Sequence, residues 1–106
     1  MIGVLNVRKI ILLCSAGMST SMLVKKMQEA AKAQNYECSI AAFPMSEAKE
    51  RASDADAILL GPQVRFNKNK VAEQCPGIPI DVVDMKLYGR MDGKGVIEMV
   101  KKMIGD

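Results

Sequence analysis

The sequence has 106 residues, 49% hydrophobic and 25% charged, which fits one domain with a single core and excludes a disordered chain. A formal net charge of +3, with two Tyr, two Phe and no Trp, does not indicate a nucleic-acid partner. Histidine is absent, so a Cys-His nucleophile, a Ser-His-Asp triad, a phosphohistidine and most zinc sites are excluded.

Short apolar runs alternate with segments of helical periodicity along the chain. The first run is β-branched at its start and is typical of a strand buried on both faces. The predicted strands span 9–13, 37–43, 57–60 and 80–83. The predicted helices span 20–34, 46–51, 63–74 and 93–103. Ser46 is expected to cap the second helix and Asp92 the last one.

This alternation predicts an α/β fold. Strands joined by helical crossovers run parallel, and right-handed connections place helices on both faces of the sheet. We therefore expect a three-layer sandwich with a four-stranded parallel sheet in the order 2-1-3-4. Residues 1–106 are expected to form one domain, with 1–7 as an N-terminal extension. The chain has its own start and no linker, which favours a free subunit.

The order 2-1-3-4 predicts where a ligand binds. The helices after strands 1 and 3 leave toward opposite faces, so a crevice opens between the carboxyl ends of these strands. The loop after strand 1 begins at Cys14 and runs to Thr20. After strand 3 come Gly61, Pro62 and Gln63, and the last two are expected to form the facing wall of the site.

The loop after strand 1 has little side-chain bulk and many hydrogen-bond donors. Its N–H groups can face an anion, and the helix starting near Thr20 adds unpaired N–H groups and the positive end of its dipole. These donors favour negative charge on the Cys14 sulfur and on a phosphoryl group bound to it. Cys14 is therefore predicted to be a nucleophile that takes up phosphate. The residues predicted to bind that phosphate are Ser15, Ala16, Gly17, Met18, Ser19, Thr20 and Ser21.

The three cysteines also allow simpler interpretations. A cysteine at a strand end is more often a buried apolar residue, and Cys14 would then be inert in a flavodoxin-like or receiver-like binding module. Cys38 alternates within strand 2 and is predicted to be structural, whereas Cys75 in a turn is predicted to be an exposed, incidental thiol. Their odd number, without CxxC spacing, favours a reducing compartment. No signal peptide or membrane span is recognisable, so a cytoplasmic protein is expected.

A phosphatase is one candidate for this loop. Low-molecular-weight tyrosine phosphatases, whose fold the predicted one resembles, and related arsenate reductases carry arginine after a cysteine and five further residues. Here that position is Thr20, so no guanidinium clamps the transition state. The expected Asp-Pro pair is also missing, and Gly61-Pro62 follows strand 3 instead. A hydrolase is therefore disfavoured against a loop that accepts, holds and passes on phosphate.

Four motifs make the chain resemble a known family from Arg8 onward. They are CSAGMSTSMLV at 14–24, AFP at 42–44, LLGPQV at 59–64 and DMKLYGRMDGKGV at 84–96. Their order and spacing are similar to those of the enzyme IIB component of the bacterial phosphotransferase system, in its lactose/cellobiose (N,N′-diacetylchitobiose) family. The resemblance implies a phosphotransferase in which a phosphohistidine on enzyme IIA phosphorylates Cys14. The phosphocysteine then phosphorylates a β-glucoside-type disaccharide held by the membrane component IIC.

The resemblance implies no metal and no other cofactor. It leaves the 84–96 motif open: Asp84, Tyr88 and the turn at 89–95 shape the approach to the last helix or contact a partner. Met18 is expected to help dock IIA and IIC. The basic cluster of Arg65, Lys68 and Lys70 is either a solvated helix face or a surface that steers a phosphorylated partner.

Overall fold

The computed structural model describes residues 7–15 and 18–106, without the side chains of residues 18 and 19. The strands are β1 (Arg8–Cys14), β2 (Cys38–Pro44), β3 (Ala57–Leu60) and β4 (Ile80–Val82). They form a sheet in the order β2-β1-β3-β4, and every pair is parallel. The predicted sheet is confirmed.

Five α-helices and two 3₁₀ segments accompany these strands in the described residues. The helices are α1 (Met18–Ala33), α2 (Ala48–Ala52), α3 (Lys68–Gln74), α4 (Met85–Gly89) and α5 (Gly93–Ile104). The 3₁₀ segments are Met45–Glu47 and Pro62–Asn67. No helix in the part of the chain described combines the length and hydropathy that crossing a bilayer requires.

Strand β1 divides the core into two layers because successive side chains point to opposite faces. Ile10 and Leu12 pack with residues of α1, α4 and α5, whereas Ile11 and Leu13 pack with residues of α2 and α3. All four of these side chains are at most 2% exposed. Helices therefore cover both faces of the sheet, and the predicted three-layer α/β fold is confirmed.

The helix predicted at 63–74 is wrong in its first half. Residues Pro62–Asn67 form a 3₁₀ segment, and the α-helix begins only at Lys68. Val64 has non-helical angles (φ −114°, ψ 22°), which break the α-helical hydrogen-bond pattern. Its side chain is 7% exposed and belongs to the second core layer, so tertiary packing rather than helical periodicity determines the chain path here.

Of the two predicted helix-capping residues, Ser46 and Asp92, only Asp92 caps a helix in the structure. Ser46 lies inside the 3₁₀ segment Met45–Glu47, where no side-chain cap forms, so its predicted capping role is wrong. Asp92 does cap α5, accepting a hydrogen bond from Gly95 N at 2.9 Å. Helix α4, which precedes α5 and is capped by Asp84, is not among the predicted helices.

Helices α1 and α5 approach each other closely at Gly93. A Cβ atom added there would lie 2.6 Å from the backbone nitrogen of Met27 and closer still to the carbonyl group of Lys26. Real Cβ atoms do not come this near to a backbone. Gly93 thus allows α5 to pack directly on the helix that follows Cys14.

Candidate active site

Cys14 is the last residue of β1, and both neighbouring strands end beside it. It is paired in register with Pro44 of β2 and is 3% exposed. On the other side, Gly61 follows β3 and donates its N–H to the carbonyl of Leu13 at 2.9 Å. The predicted position of Cys14, at the carboxyl end of a central strand, is therefore confirmed.

The loop after β3 approaches Cys14 through Gly61 and Gln63. A Cβ atom added to Gly61 would lie 3.7 Å from Cys14 Cβ and 2.8 Å from Gln63 Oε1. The Gln63 side chain thus turns back over the glycine, although the residue as a whole is exposed. Pro62 is buried and accepts a hydrogen bond at its carbonyl from Arg65 Nη1 at 3.0 Å. Of the two predicted wall residues, Gln63 therefore has the accessible polar group.

Helix α1 begins at Met18, two residues earlier than predicted. Its first-turn N–H groups, which have no partners within the helix, therefore belong to residues predicted to bind phosphate. Ala16 and Gly17 lie outside the described residues, as do the side chains of Met18 and Ser19. The phosphate-binding roles of these four residues stay predictions.

A small pocket of about 130 Å³ lies against Cys14. Hydroxyl groups line one part of it and residues at the end of β2 line the other. The lining residues are Cys14, Ser15, Ser21, Ala42, Phe43 and Pro44. Ser15 and Ser21 are both exposed, and both line this pocket beside Cys14.

Thr20 is placed differently from its neighbours. Its side chain is fully buried, and its hydroxyl lies 3.1 Å from the hydroxyl of Tyr88 on α4. Tyr88 is 8% exposed and belongs to the core layer that α1 and α5 share. Thr20 is predicted from the sequence to bind phosphate, whereas its contact with Tyr88, 68 residues away, is not predictable from local pattern.

Cys75 is not the exposed thiol that the sequence predicted. It is 1% exposed, packs in the second core layer and donates from Sγ to the carbonyl of Ala48 at 3.7 Å. Burial raises the pKa of its thiol. Cys38 is half-buried, and burial followed by the charge of Glu37 raises the pKa of its thiol as well.

These surroundings predict different thiol reactivities. Because the thiolate is the reacting form, Cys38 and Cys75 should alkylate slowly at neutral pH and faster as the pH rises toward their raised pKa values. Cys14 is expected to react before both and to be protected by inorganic phosphate. Mass spectrometry of timed iodoacetamide quenches measures all three, with urea-unfolded protein as the control. Slow alkylation of Cys14 without phosphate protection would instead favour the inert binding module.

The basic cluster is partly engaged within the chain. The guanidinium carbon of Arg65 lies 4.4 Å from the ring centroid of Phe66, and Lys68 Nζ lies 3.6 Å from Asp81 Oδ1. Both members of the ion pair are about half exposed, so it contributes little to stability. Lys70 is exposed. Steering of a phosphorylated partner by these three cations stays a prediction.

Three large apolar side chains are exposed near the same end of the sheet. Met22 is 52% exposed, Phe66 82% and Met85 71%. They lie in α1, in the 3₁₀ segment after β3 and at the start of α4, and each of these elements follows the carboxyl end of a strand. Parallel strands bring these ends together, so the three side chains and Cys14 lie at one edge. We call Met22, Phe66 and Met85 the apolar rim.

The amino-acid sequence matches the model of one protein family and is similar to individual proteins of that family. Residues 9–99 match the family described as "PTS system, Lactose/Cellobiose specific IIB subunit". The chain is 41% identical over 99 residues to the oligo-beta-mannoside-specific EIIB component of Bacillus subtilis (strain 168), covering 92% of this chain and 96% of that protein. It is also 41% identical over 102 residues to the cellobiose-specific EIIB component of Lactococcus lactis subsp. lactis (strain IL1403), covering 90% and 94%.

Two solved structures have the same architecture. The cellobiose-specific phosphotransferase IIB component from Borrelia burgdorferi superimposes with a TM-score of 0.78 at 36% identity, covering 94% of each chain. The lactose-specific IIB component domain from Streptococcus pneumoniae superimposes with a TM-score of 0.80 at 19% identity, covering 92% of this chain and 98% of that one. At that lower identity, the second similarity concerns the fold alone.

Proposed function

The chain belongs to the lactose/cellobiose-specific IIB family of the phosphotransferase system, and on that premise we propose that Cys14 carries the phosphoryl group. Phosphohistidine of an enzyme IIA is the donor, and a sugar bound to the membrane component IIC is the acceptor. The observation that carries the proposal is the position of Cys14, at the end of β1 between the ends of two other strands and just before α1.

The chemistry consists of two displacements at phosphorus. The Cys14 thiolate attacks the phosphoryl group, an S–P bond forms, the N–P bond breaks, and the electron pair returns to the donor imidazole. A sugar hydroxyl then attacks, the S–P bond breaks, and the hydroxyl proton leaves to solvent or a base while the thiolate is regenerated. Such transfers depend mainly on positioning and charge stabilisation. First-turn N–H groups of α1 and the hydroxyls of Ser15 and Ser21 are the donors that we assign to this role.

The surroundings of Cys14 support a carrier rather than a hydrolase. Thr20 stands where a phosphatase carries arginine, and its hydroxyl is buried against Tyr88. Arg65, in the segment after β3, donates a hydrogen bond from its guanidinium group to the Pro62 carbonyl and stacks over the Phe66 ring. A phosphocysteine without a guanidinium clamp is expected to break down slowly in water.

Phosphoenolpyruvate, enzyme I, HPr and a candidate IIA provide the direct test. Incubation with this protein should add one phosphoryl group, and peptide mapping should locate it on Cys14. Aryl phosphate, tested in parallel, should be turned over negligibly. A modification on another residue would contradict the carrier proposal, and efficient release of phosphate from the aryl ester would favour the hydrolase.

We assign docking of IIA and IIC to the edge that carries the apolar rim. Aromatic and methionine side chains are enriched at protein interfaces, and methionine adapts to partners of different shape. Met18, the docking residue predicted from the sequence, begins α1 at this same edge. One surface can then serve both partners.

Phe66→Ala is expected to raise the KM for phosphorylated IIA about tenfold, because a buried interface aromatic commonly contributes above 1 kcal/mol to binding. Since Phe66 is 82% exposed, folding should be unaffected. Val7→Ala is the matched control, as Val7 is also exposed (50%) but precedes β1, at the opposite end of the sheet. Initial transfer rates across a range of IIA concentrations measure both variants, with Met18→Asp in parallel. Equal KM values for Phe66→Ala and wild type would exclude this surface.

For the acceptor we propose a β-glucoside-type disaccharide and a cytoplasmic site of transfer. The similar proteins are named for oligo-beta-mannoside, cellobiose and, in Lactococcus lactis subsp. cremoris (strain MG1363), galactose. Membrane vesicles that contain a candidate IIC, supplied with phosphorylated protein and a panel of these sugars together with chitobiose and lactose, distinguish the acceptors. Cellobiose, chitobiose and lactose are the sugars that we expect to be phosphorylated first.

A further inference from the structure

We infer that the hydroxyl pair of Thr20 and Tyr88 positions the first turn of α1 over Cys14, so that Tyr88 is a positioning residue for phosphoryl transfer. This inference rests on the proposed function, because it assigns the first-turn N–H groups to the phosphate. It also gives the motif at 84–96 a third role, which is to hold α1 in place through Tyr88. The two roles left open by the sequence were shaping the approach to the last helix and contacting a partner.

Thr20 anchors α1 at its amino end. It is the third residue of the helix, and its side chain is 0% exposed within a layer of apolar residues. A hydroxyl buried in such a place is unfavourable unless it is hydrogen-bonded. Tyr88 satisfies this requirement from another helix at 3.1 Å. The first turn of α1 is therefore tied to α4 by a side-chain contact in addition to its own helical hydrogen bonds.

The other end of this contact is held firmly. Helix α4 has only five residues, which is too short for a helix to be stable by itself. The Asp84 carboxylate accepts from Lys86 N at 2.7 Å, and the Asp84 carbonyl accepts from Tyr88 N at 2.9 Å. Asp92 N then donates to the Leu87 carbonyl at 2.9 Å. These bonds set the direction in which the Tyr88 ring leaves α4.

Helix α5 packs against α4 and so helps to fix the position of Tyr88. A Cβ atom added to Gly95 would lie 2.7 Å from Leu87 Cδ2 and 3.0 Å from the Asp92 carboxylate, so α4 and α5 are in close contact there. The same Asp92 carboxylate caps α5. The motif thus joins α4 to α5, and α5 packs on α1. Tyr88 completes this support by contacting α1 at the turn nearest to Cys14.

The position of that turn matters for transfer. The first-turn N–H groups stabilise the phosphoryl group only if they are held at hydrogen-bond distance from its oxygens. Helix ends fray when no side chain holds them. Loss of the tie is therefore expected to slow the chemical step and not to weaken binding of the IIA donor, because Phe66, the rim residue to which a tenfold effect on KM is assigned, lies outside both α1 and α4.

Tyr88→Phe tests the inference directly. At saturating phosphorylated IIA, the transfer rate constant should fall about five- to tenfold while KM stays unchanged. The phosphorus NMR signal of the phosphocysteine should shift, because its N–H donors have moved. Tyr36→Phe is the matched control: it removes a hydroxyl that donates to Asp106 at 2.6 Å, just before β2 and away from Cys14, and it should leave both measurements unchanged.

Thr20 variants separate positioning from stability. Thr20→Ser keeps a hydroxyl and should transfer at nearly the wild-type rate, whereas Thr20→Val should resemble Tyr88→Phe. The double variant Thr20→Val/Tyr88→Phe leaves neither hydroxyl unpaired, so its stability should recover while its slow transfer persists.

Three results would overturn the inference. They are a wild-type rate and NMR signal in Tyr88→Phe, a change in KM alone, and a transfer rate that recovers with stability in the double variant. If wild-type protein itself takes up no phosphate from IIA, the proposed function fails, and this inference fails with it.

Discussion

Cys14→Ser is expected to abolish phosphoryl uptake from IIA and to leave the fold intact. A serine hydroxyl is a weak nucleophile without an adjacent base, and the sequence contains no histidine to act as one. Cys14 lines a pocket together with the hydroxyl-bearing residues Ser15 and Ser21. A serine hydroxyl at position 14 should therefore lower the free energy of unfolding by no more than about 1 kcal/mol. Intact-mass measurement after incubation with phosphoenolpyruvate, enzyme I, HPr and IIA reports uptake, and urea unfolding reports stability.

Cys38→Ser is the matched control for this experiment. Cys38 is also a strand residue, at the start of β2, but it lies at the opposite end of the sheet from Cys14. Phosphoryl uptake should persist in this variant at the wild-type level. Uptake of an acid-stable or thiol-type phosphate by Cys14→Ser would contradict the assignment of the nucleophile, and loss of uptake in Cys38→Ser would contradict the assigned location.

Gly93→Ala is expected to cause the largest loss of stability. The new methyl group would overlap backbone atoms of Lys26 and Met27, and a backbone cannot rotate away as a side chain can. Helices α1 and α5 must then separate, which disturbs the core layer that contains Val96 and Ile97. We expect the free energy of unfolding to fall by about 3 kcal/mol or more, measured by urea denaturation.

Gly89→Ala provides the comparison, since within the described part of the chain no atom outside its own helix backbone and its two chain neighbours lies within 4 Å of the added methyl group. Gly89 ends the short helix α4, where alanine is the better helix former. This variant should be as stable as wild type or more stable by about 0.5–1 kcal/mol. Equal losses in the two variants would mean that backbone freedom, rather than the contact between α1 and α5, is what Gly93 contributes.

The parts of the fold that follow from local pattern could be predicted. Alternation of buried runs with helical periodicity was sufficient for the four strands, their order and the position of Cys14. Features that depend on contacts distant in sequence could not be predicted in the same way. The buried Cys75 contacts Ala48, 27 residues earlier, and the buried Thr20 contacts Tyr88, 68 residues later.

Short elements were the other source of error. Helix α4 has five residues and depends on the Asp84 cap, so no periodic signal marks it. Between Pro62 and Asn67 the spacing of apolar residues fits an α-helix or a 3₁₀-helix equally well. The segment is 3₁₀ in the structure, where Val64 is buried in the core. The motif at 84–96 is recognisable in the sequence, but its proposed role depends on the contact of Tyr88 with Thr20 on α1, which lies 68 residues away.

The burial of Cys14 limits how its reaction partners can reach it. Cys14 is 3% exposed and has a strand end on each side, so only a small part of it is open to a reacting molecule. Under the proposed function, IIA and IIC must therefore use the same small exposed part of Cys14, and both cannot exchange phosphate with it at the same time. Every catalytic cycle must include a complete exchange of protein partners. A surplus of spent IIA would then act as a competitive inhibitor of sugar import, even while phosphoenolpyruvate is plentiful.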